Sequence, residues 1–493
     1  IGSRYSGSPR LKVVLDLLKG EIQAVDFPYR LQLAAGRVVI DNNETVQFSG
    51  FKTASGAGAQ MSFDGSLRRL NDTRKLDYRL LLADFKLDEK FREAFPAQYQ
   101  NFLNGLGLEG TFSGRLAGWY LKNLTDAAND KHYFEGTDIR TRDAAVNFGV
   151  KVSQMDAQGR FTGGHNEDRP NHFWGEVKVQ KARFNRLQLK DGDIVFTFGE
   201  QHDRIRRLAD SVDTPGEKGP YLSSSIIGRL ARGDVTDTFQ MSIASDNFYK
   251  GRLDGMLYVD TGEKVGDLGG EFAASGISLA EASVDVFGGR KEATSGTASG
   301  TVFFAGKTGD QRSIRGEGIG LIKDANLAQL PLFLDIFKLF KLPALINLGF
   351  SDLLLRSKLD NVKIPYTIED GRFLTEGLEL NSSNSGLSFS GVGSMDFDGN
   401  LALELEPQLP TSRLKLPLIP DIIDLTGIDL GKIFSFIKKG ILKIKIGGDI
   451  ARPKAELATG LGLIKVPIDP GLPEKKGDGG AKKPPPGNSP REE

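Results

Sequence analysis

The chain of 493 residues has no cysteine. Disulfides, thiolate nucleophiles, Cys-ligated zinc and iron–sulfur clusters are therefore excluded. Histidine is scarce, with 4 in the chain, as are Trp (2) and Met (5). None of His132, His165, His172 and His202 sits in a His-Glu-x-x-His or His-x-His arrangement. His165 and His172 share the polar stretch GGHNEDRPNH, which reads as a solvated loop before it reads as a metal site. An excess of either charge is also missing. The 64 Lys+Arg balance the 64 Asp+Glu, so no global field gathers nucleic acid or anionic lipid. No apolar run reaches the ~18 residues that a membrane-spanning helix needs. The first residue is Ile and no charged-then-apolar leader follows it, so a signal or anchor helix is expected upstream.

What the chain does have is 60 Gly, 31 Phe and a pervasive period of two. RLQLAAGRVVI, AQMSFDGSL, KLDYRLLLADFKL, HFWGEVKVQKARFN, DTFQMSIASDNF, GTASGTVFFAG and ILKIKIGGDI all alternate apolar and polar residues between Gly or Asn/Asp turns. Turn signals recur about every ten residues, the spacing of a meandering antiparallel sheet. Helical spacing is confined to three stretches. Asp88 to Leu106 is one. The second is Leu330 to Phe350, with Leu332, Phe333, Ile336, Phe337 and Phe340 around most of its circumference. The third ends in Ile433, Phe434 and Ile437, followed by Lys438, Lys439 and a Gly440 placed as a helix stop. From Pro470 onward almost no apolar residue remains, and disorder is expected. An internal echo links FPYRLQLAAGRVVI and its following VQFSG to IPYTIEDGRFLTE and its following LSFSG, as stacked hairpin modules would.

No constellation of catalytic residues emerges. A Gly-x-Ser-x-Gly elbow is absent. GEGIG at Gly316–Gly320 lacks the phosphate-loop spacing and reads as a strand with close backbone neighbours. DFDGN at Asp396–Asn400 lacks most calcium-loop positions and reads as a hairpin turn. An enzyme, a cofactor, a metal site and a nucleic-acid partner are accordingly not expected. The instrument of function is then a surface. An apolar sheet face either closes on itself in a sandwich or lines an open groove, and periodicity alone leaves both open. Alternation nominates Leu31, Leu33, Val46, Phe48, Met61, Phe63, Leu80, Val177, Val179, Phe196, Phe198, Phe303, Leu387, Phe389, Leu401 and Leu403 as the lining of such a groove.

The final third resembles the C-terminal region of AsmA-like proteins. The matching elements run in order: IRGEGIGLIKDANLAQLPLFLDIFKL, then DGRFLTEGLEL with the GLSFSGVGSMDFDGNLAL hairpin, then LKIKIGGDIARPKAEL. Gly316 to Leu457 carries most of the resemblance; residues 1–310 resemble the repetitive β-region of the same superfamily more weakly. The resemblance implies an elongated, curled antiparallel sheet, likened to a taco, with a few amphipathic helices near the C-terminal end. It divides the chain into a β-groove region (1–310), an AsmA-like region with capping helices (311–469) and a tail (470–493). It implies a periplasmic, non-enzymatic conduit that moves phospholipid or another acyl lipid between inner and outer membranes. It also implies an inner-membrane anchor and contacts with other envelope proteins. The alternative is a structural β-protein that organises the envelope by protein–protein contacts. The apolar helices at 332–340 and 433–437 would cover the end of the sheet, gate the groove or touch a membrane.

Overall fold

The computed structural model describes residues 11–464 apart from 24–29, 42–43, 54–59, 88, 94–99, 101–106, 127–128, 148–150, 167–171, 200–237, 261–264, 288–294, 326–359, 383–387, 409–442 and 460–461. The expected helices at Leu330–Phe350 and 419–440, and the tail from Pro470, lie outside these residues. Within them the protein is mostly β. The strands are β1 (Lys12–Leu17), β2 (Gly20–Ile22), β3 (Leu31–Asp41), β4 (Thr45–Thr53), β5 (Gln60–Leu70), β6 (Thr73–Lys86), β7 (Glu109–Asn123), β8 (Lys131–Asn147), β9 (Lys151–His165), β10 (His172–Phe184) and β11 (Leu187–Phe198). They continue as β12 (Thr238–Phe248), β13 (Gly251–Asp260), β14 (Asp267–Ser278), β15 (Thr297–Lys307), β16 (Asp310–Lys323), β17 (Asn361–Glu369), β18 (Arg372–Asn381) and β19 (Ser388–Asp396). The last are β20 (Asn400–Gln408), β21 (Lys443–Asp449), β22 (Arg452–Thr459) and β23 (Gly462–Ile464). Two α-helices are described, α1 (Glu89–Glu93) and α2 (Leu279–Phe287). The first falls within the expected Asp88–Leu106 stretch, most of whose other residues lie outside the described ones, and the second was not expected from the sequence.

All the strands form one open antiparallel sheet in which, from β3 onward, each pairs with the next in the chain. β1 and β2 both lie along β3, against Gly36–Asp41 and Leu31–Leu33 respectively, so they share one row of the sheet. The sheet passes residue 310 without a break, since β16 pairs with β15 on one side and β17 on the other. GEGIG lies within β16, as its composition suggested, and Asp396 caps the turn at Asp398–Gly399 by accepting from the amides of Asp398 and Asn400. The internal echo is not a structural repeat. Gly36-Arg37 lies inside β3, whereas Gly371-Arg372 falls at the turn between β17 and β18. Two similar strings met different turn positions, because a Gly suits either a strand approached closely by a ring or a left-handed turn.

A line of β-bulges crosses the sheet. Register slips by one residue between Phe48 and Phe51 in β4, Leu82 and Phe85 in β6, Ala274 and Ile277 in β14, and Thr375 and Leu378 in β18. Left-handed residues mark the line, among them Gly50 (φ 61), Asp84 (φ 49), Asp143 (φ 49), Asp191 (φ 52) and Gly276 (φ 64). A bulge frees an amide from the ladder, and a neighbouring strand takes it. The Gly50 amide donates to Asp64 Oδ1 (2.7 Å), Asp84 to Ser113 Oγ (2.9 Å), Asp143 to Asp156 Oδ1 (2.9 Å) and Gly276 to Ser299 Oγ (3.3 Å). Bulges bend strands and increase their twist.

The sheet winds far enough to meet itself. From β11 to β20 the ladder takes nine steps. At about 20–25° of twist per step, strand direction reverses over that distance. A turn on one edge can then face turns on the other. Asn185 Nδ2, in the β10–β11 turn, donates to the Phe397 carbonyl beside the β19–β20 turn (2.7 Å). Arg186 grips the Asp449 carboxylate with both terminal nitrogens and also donates to the Val286 carbonyl of α2 (3.4 Å). Its hydrogen bonds, followed by that of the Ala451 amide, hold the Asp449 carboxyl below its ordinary range. α2 is anchored by Tyr249, whose hydroxyl donates to Asp285 Oδ2 (2.7 Å) and accepts from the Gln188 amide (2.6 Å).

These contacts make two predictions. Asp156→Ala removes the acceptor of the Asp143 amide, at a cost of about 1 kcal/mol. Hydrogen exchange should quicken at Asp143 while amides of β13 keep their protection. Because hydrogen bonds from Asp143 and Lys181 lower the Asp156 pKa, this support is present above the unfolded value of 3.8 and lost as pH falls through the folded one. Separately, spin labels at Lys190→Cys and Asp398→Cys, simple to install in a Cys-free chain, should move apart in Arg186→Ala. The distance should return when Arg186→Asp is combined with Asp449→Arg; an unchanged distance in Arg186→Ala would show that the ion pair does not hold the winding.

Candidate functional site

Because opposed residues in an antiparallel ladder share a face, the register can be followed from strand to strand. One face is apolar over most of the sheet. Val46 and Phe48 lie opposite Ile40 and Val38 on one side and Leu67 and Gly65 on the other. The row continues through Leu67–Leu76–Tyr120–His132–His165 and through Phe63–Leu80–Leu116. It passes Phe173–Phe198–Phe239–Val259–Leu268, then Tyr366 and Ile368, and reaches Leu403–Ile446–Ala455. The opposite face carries the charges, for example Arg160 beside Glu176 (3.0 Å) and Lys181 beside Asp156 (3.0 Å).

The register brings Leu33, Val46, Phe48, Met61, Phe63, Leu80, Val177, Val179, Phe196, Phe198, Phe389, Leu401 and Leu403 onto this apolar face. Phe303 is a correction. It lies opposite Glu271 and Glu317 on the charged face, and its neighbours Val302 and Phe304 take the apolar one. In VFF the alternation can be counted from either Phe, and only pairing with β14 decides the phase. Leu31 pairs with Ile22 through its backbone, and its side chain is not described. Leu387, Leu332, Phe333, Ile336, Phe337, Phe340, Ile433, Phe434 and Ile437 lie outside the described residues.

Sequence reasoning missed a second component, glycines covered by rings from the next strand. A Cβ built on Gly175 would stand 2.4 Å from Phe196 Cζ, one on Gly136 2.6 Å from Phe161 Cζ, and one on Gly318 2.4 Å from Tyr366 Oη. Gly255 under Phe272 and Gly270 under Phe304 repeat the arrangement. The rings lie across bare backbone and touch one another, as in Phe173–Phe198 (5.3 Å) and Phe272–Phe304 (6.1 Å). Bulges add members that alternation hides. Phe51 is three residues from Phe48, yet both rings pack on Phe63, at 6.1 and 5.8 Å. The signal was present in the sequence as Gly-polar-Phe strings in successive strands.

Coverage of the face differs along the sheet. Val38, Val46, Phe48, Phe63, Leu67, Leu76, Leu80 and Leu116 are half-buried. Phe198, Phe239, Val259, Leu268, Phe389, Leu405, Ile444 and Ile446 are buried. Leu108 and Val146, from β7 and β8 territory, pack on the Phe198–Phe239 cluster, so part of the face is closed by the sheet's own curvature. A second cluster around Val179, Leu189, Phe248 and Ile277 is covered in part by Ala282 of α2.

Polar chemistry on this face is sparse. Burial alone pushes the Tyr78 and Tyr366 hydroxyls up to about 12. Three of the four histidines gather at the rim of β8–β10. His132 stacks on His165 (5.8 Å) and on Phe134 (6.3 Å), so His165 and His172 end strands and do not form a loop by themselves. Among the described residues no three His, Asp or Glu side chains come together as a metal site. A polar cavity of about 520 Å³ lies along the bulge line, bordered by Asp84, Ser113, Arg140, Arg142, Asp156 and Gln158. Of its carboxylates, Asp156 is engaged by the Asp143 amide and Lys181. Among the described residues no helix is long and apolar enough to cross a membrane.

The histidine stack predicts a pH dependence. Burial, then His165 and His172, lower the His132 pKa from 6.5 to about 4. The unfolded chain therefore binds more protons between those values, and stability should rise with pH from about 4 to 6.5. His132→Gln should flatten that part of a denaturation-against-pH profile; an unaltered slope would show that His132 titrates normally. Compared with known proteins, the chain matches no family model and no curated protein.

Proposed function

We propose that this protein is a non-enzymatic conduit for phospholipid or another acyl lipid, held in a groove formed by the apolar face of its curled sheet. The observation that carries this reading is the apolar face that runs from β3 to β22 in an open sheet, half-buried at its N-terminal end. Acyl chains need apolar contact and no directional partners, which suits a wall of Phe, Leu, Val and Gly. The resemblance of Gly316–Leu457 to AsmA-like proteins supports placing the conduit in the periplasm, working between the inner and outer membranes in outer-membrane biogenesis, with an anchor upstream. In that setting the apolar stretches 332–340 and 433–437 cap the groove or meet a membrane. A second reading, an envelope-organising protein that acts by protein contacts, draws on the burial of Phe198, Phe389 and their neighbours.

Photo-crosslinking residues at Phe48, Phe198 and Phe389, followed by lipid mass spectrometry on the purified chain, separate the two. The conduit requires lipid adducts at all three positions. Adducts at Phe48 alone would restrict the protein to lipid binding at the open end. No adduct at any position, in a chain with intact β-structure, would leave the envelope-organising reading.

A further inference from the structure

The charged face of the sheet has a concavity of its own. Three bulged strands border the cavity of about 520 Å³: β6 at Asp84, β8 at Arg142 and β10 at Gln180. Register slips between Leu82 and Phe85, between Thr141 and Ala144, and between Val179 and Lys181, so alternate strands bend where the cavity opens. Between β6 and β8, β7 contributes only the short side chains of Thr111 and Ser113, which lie opposite Arg142 and Arg140. Arg140 in turn lies opposite Gln158, two residues from the Arg160 that pairs with Glu176. The cavity therefore belongs to the outer face, apart from the apolar groove. Its volume is that of a small-molecule site, about 300–1,000 Å³.

The lining divides by hydrogen-bonding character. Arg140 and Arg142 are exposed at one wall and only donate, whereas Asp84 is exposed at the other and only accepts. Thr111, Ser113 and Gln158 do both. Asp156 shapes the Arg142 wall, since its carboxylate takes the Asp143 amide (2.9 Å) and Lys181 (3.0 Å). The Asp84 amide donates to Ser113 Oγ (2.9 Å), which fixes the far wall. Asp84 and Asp143 both have left-handed backbone (φ 49 each), a strain that gathers at ligand sites. Strands β6 and β8 lie about 10 Å apart across β7. Of the lining residues only Ala157 is apolar. A ligand that matches has an anion for the guanidiniums, hydroxyls for Asp84 and its neighbours, and no hydrocarbon chain.

We propose that this cavity binds a sugar acid, a hydroxylated ligand with one carboxylate. The carboxylate sits on Arg140 and Arg142, whose guanidiniums offer paired N–H donors. Ring hydroxyls donate to Asp84 and exchange hydrogen bonds with Ser113 and Gln158. Asp84 repels a second anion at the far wall, so the ligand carries its charge at one end. The site lies on the face opposite the groove and does not depend on the lipid reading.

Ligand-observed NMR titrations of the full chain with glucuronate, glucose and acetate test the assignment. Wild type should bind glucuronate about tenfold more tightly than glucose, which lacks the charge, or acetate, which lacks the hydroxyls; that is the scale of one charged hydrogen bond. Arg140→Gln/Arg142→Gln should bind glucuronate no better than glucose. Asp84→Asn keeps a residue that tolerates the left-handed turn and should bring glucuronate down towards acetate. Should the double variant lose its β-structure, Asp84→Asn and the salt dependence of wild type decide: affinity for glucuronate should fall with ionic strength while that for glucose stays constant. Acetate bound as tightly as glucuronate would reduce the cavity to an anion site and overturn the sugar assignment. Glucuronate bound equally well by a folded double variant would place it elsewhere and overturn the site. No binding of glucuronate to wild type would overturn the site too, and would leave the groove proposal standing.

Discussion

In β4 the chain turns through Gly50 in a left-handed conformation, and the freed amide is taken by Asp64 of β5. Most other features of the molecule depend on repetitions of that step. A strand with one extra residue shifts its phase, and without compensation every later side chain would change faces. The bulges at Gly50, Asp84 and Gly276 instead place apolar residues three apart on the same face: Phe48 with Phe51, Leu82 with Phe85, Ala274 with Ile277. The apolar face therefore survives each bend. The bends in turn add to the natural twist, and the sheet winds until Asn185 and Arg186 reach Phe397 and Asp449. Asp, Ser and Gly at the bulges, which look like ordinary polar punctuation, set the shape.

Glycine under aromatic rings serves the same end from inside. A sheet that curls toward one face crowds the side chains on it. Removing Cβ at alternate positions lets a ring from the next strand lie flat on backbone, as Phe196 does over Gly175 and Phe304 over Gly270. The face stays apolar while it becomes thin, which leaves room either for the sheet to close on itself or for a ligand. Both occur along this molecule. The Phe198–Phe239 cluster is closed by Leu108 and Val146, whereas Phe48, Leu67 and Leu76 keep part of their surface.

That division bears on function more than any single residue does. The described residues bring together no group of three His, Asp or Glu side chains as a metal site, and in the polar cavity at the bulge line Asp156 accepts the Asp143 amide freed by a bulge. Among the described residues the sheet presents hydrocarbon surface of graded accessibility on one face, with charges on the outer face and at the rim.

Alternation of apolar and polar residues was enough to establish a long antiparallel sheet with one apolar face, because a strand's side chains alternate whatever its neighbours do. It identified Phe48, Phe63, Phe196 and Leu403 from local pattern alone, and read GEGIG as strand and DFDGN as turn for equally local reasons. It could not reach Phe51 or the true face of Phe303, since phase across a bulge and phase within an apolar run are settled by which residue the partner strand opposes. α2 escaped because SLAEASVDVF is short and earns its place through Tyr249 and Ala282 packing, not through periodicity. The ion pair of Arg186 with Asp449, 263 residues apart in the chain, was decided only in three dimensions. It depends on how many strands separate the two residues and how far the sheet has turned between them, and no local pattern of residues records that sum.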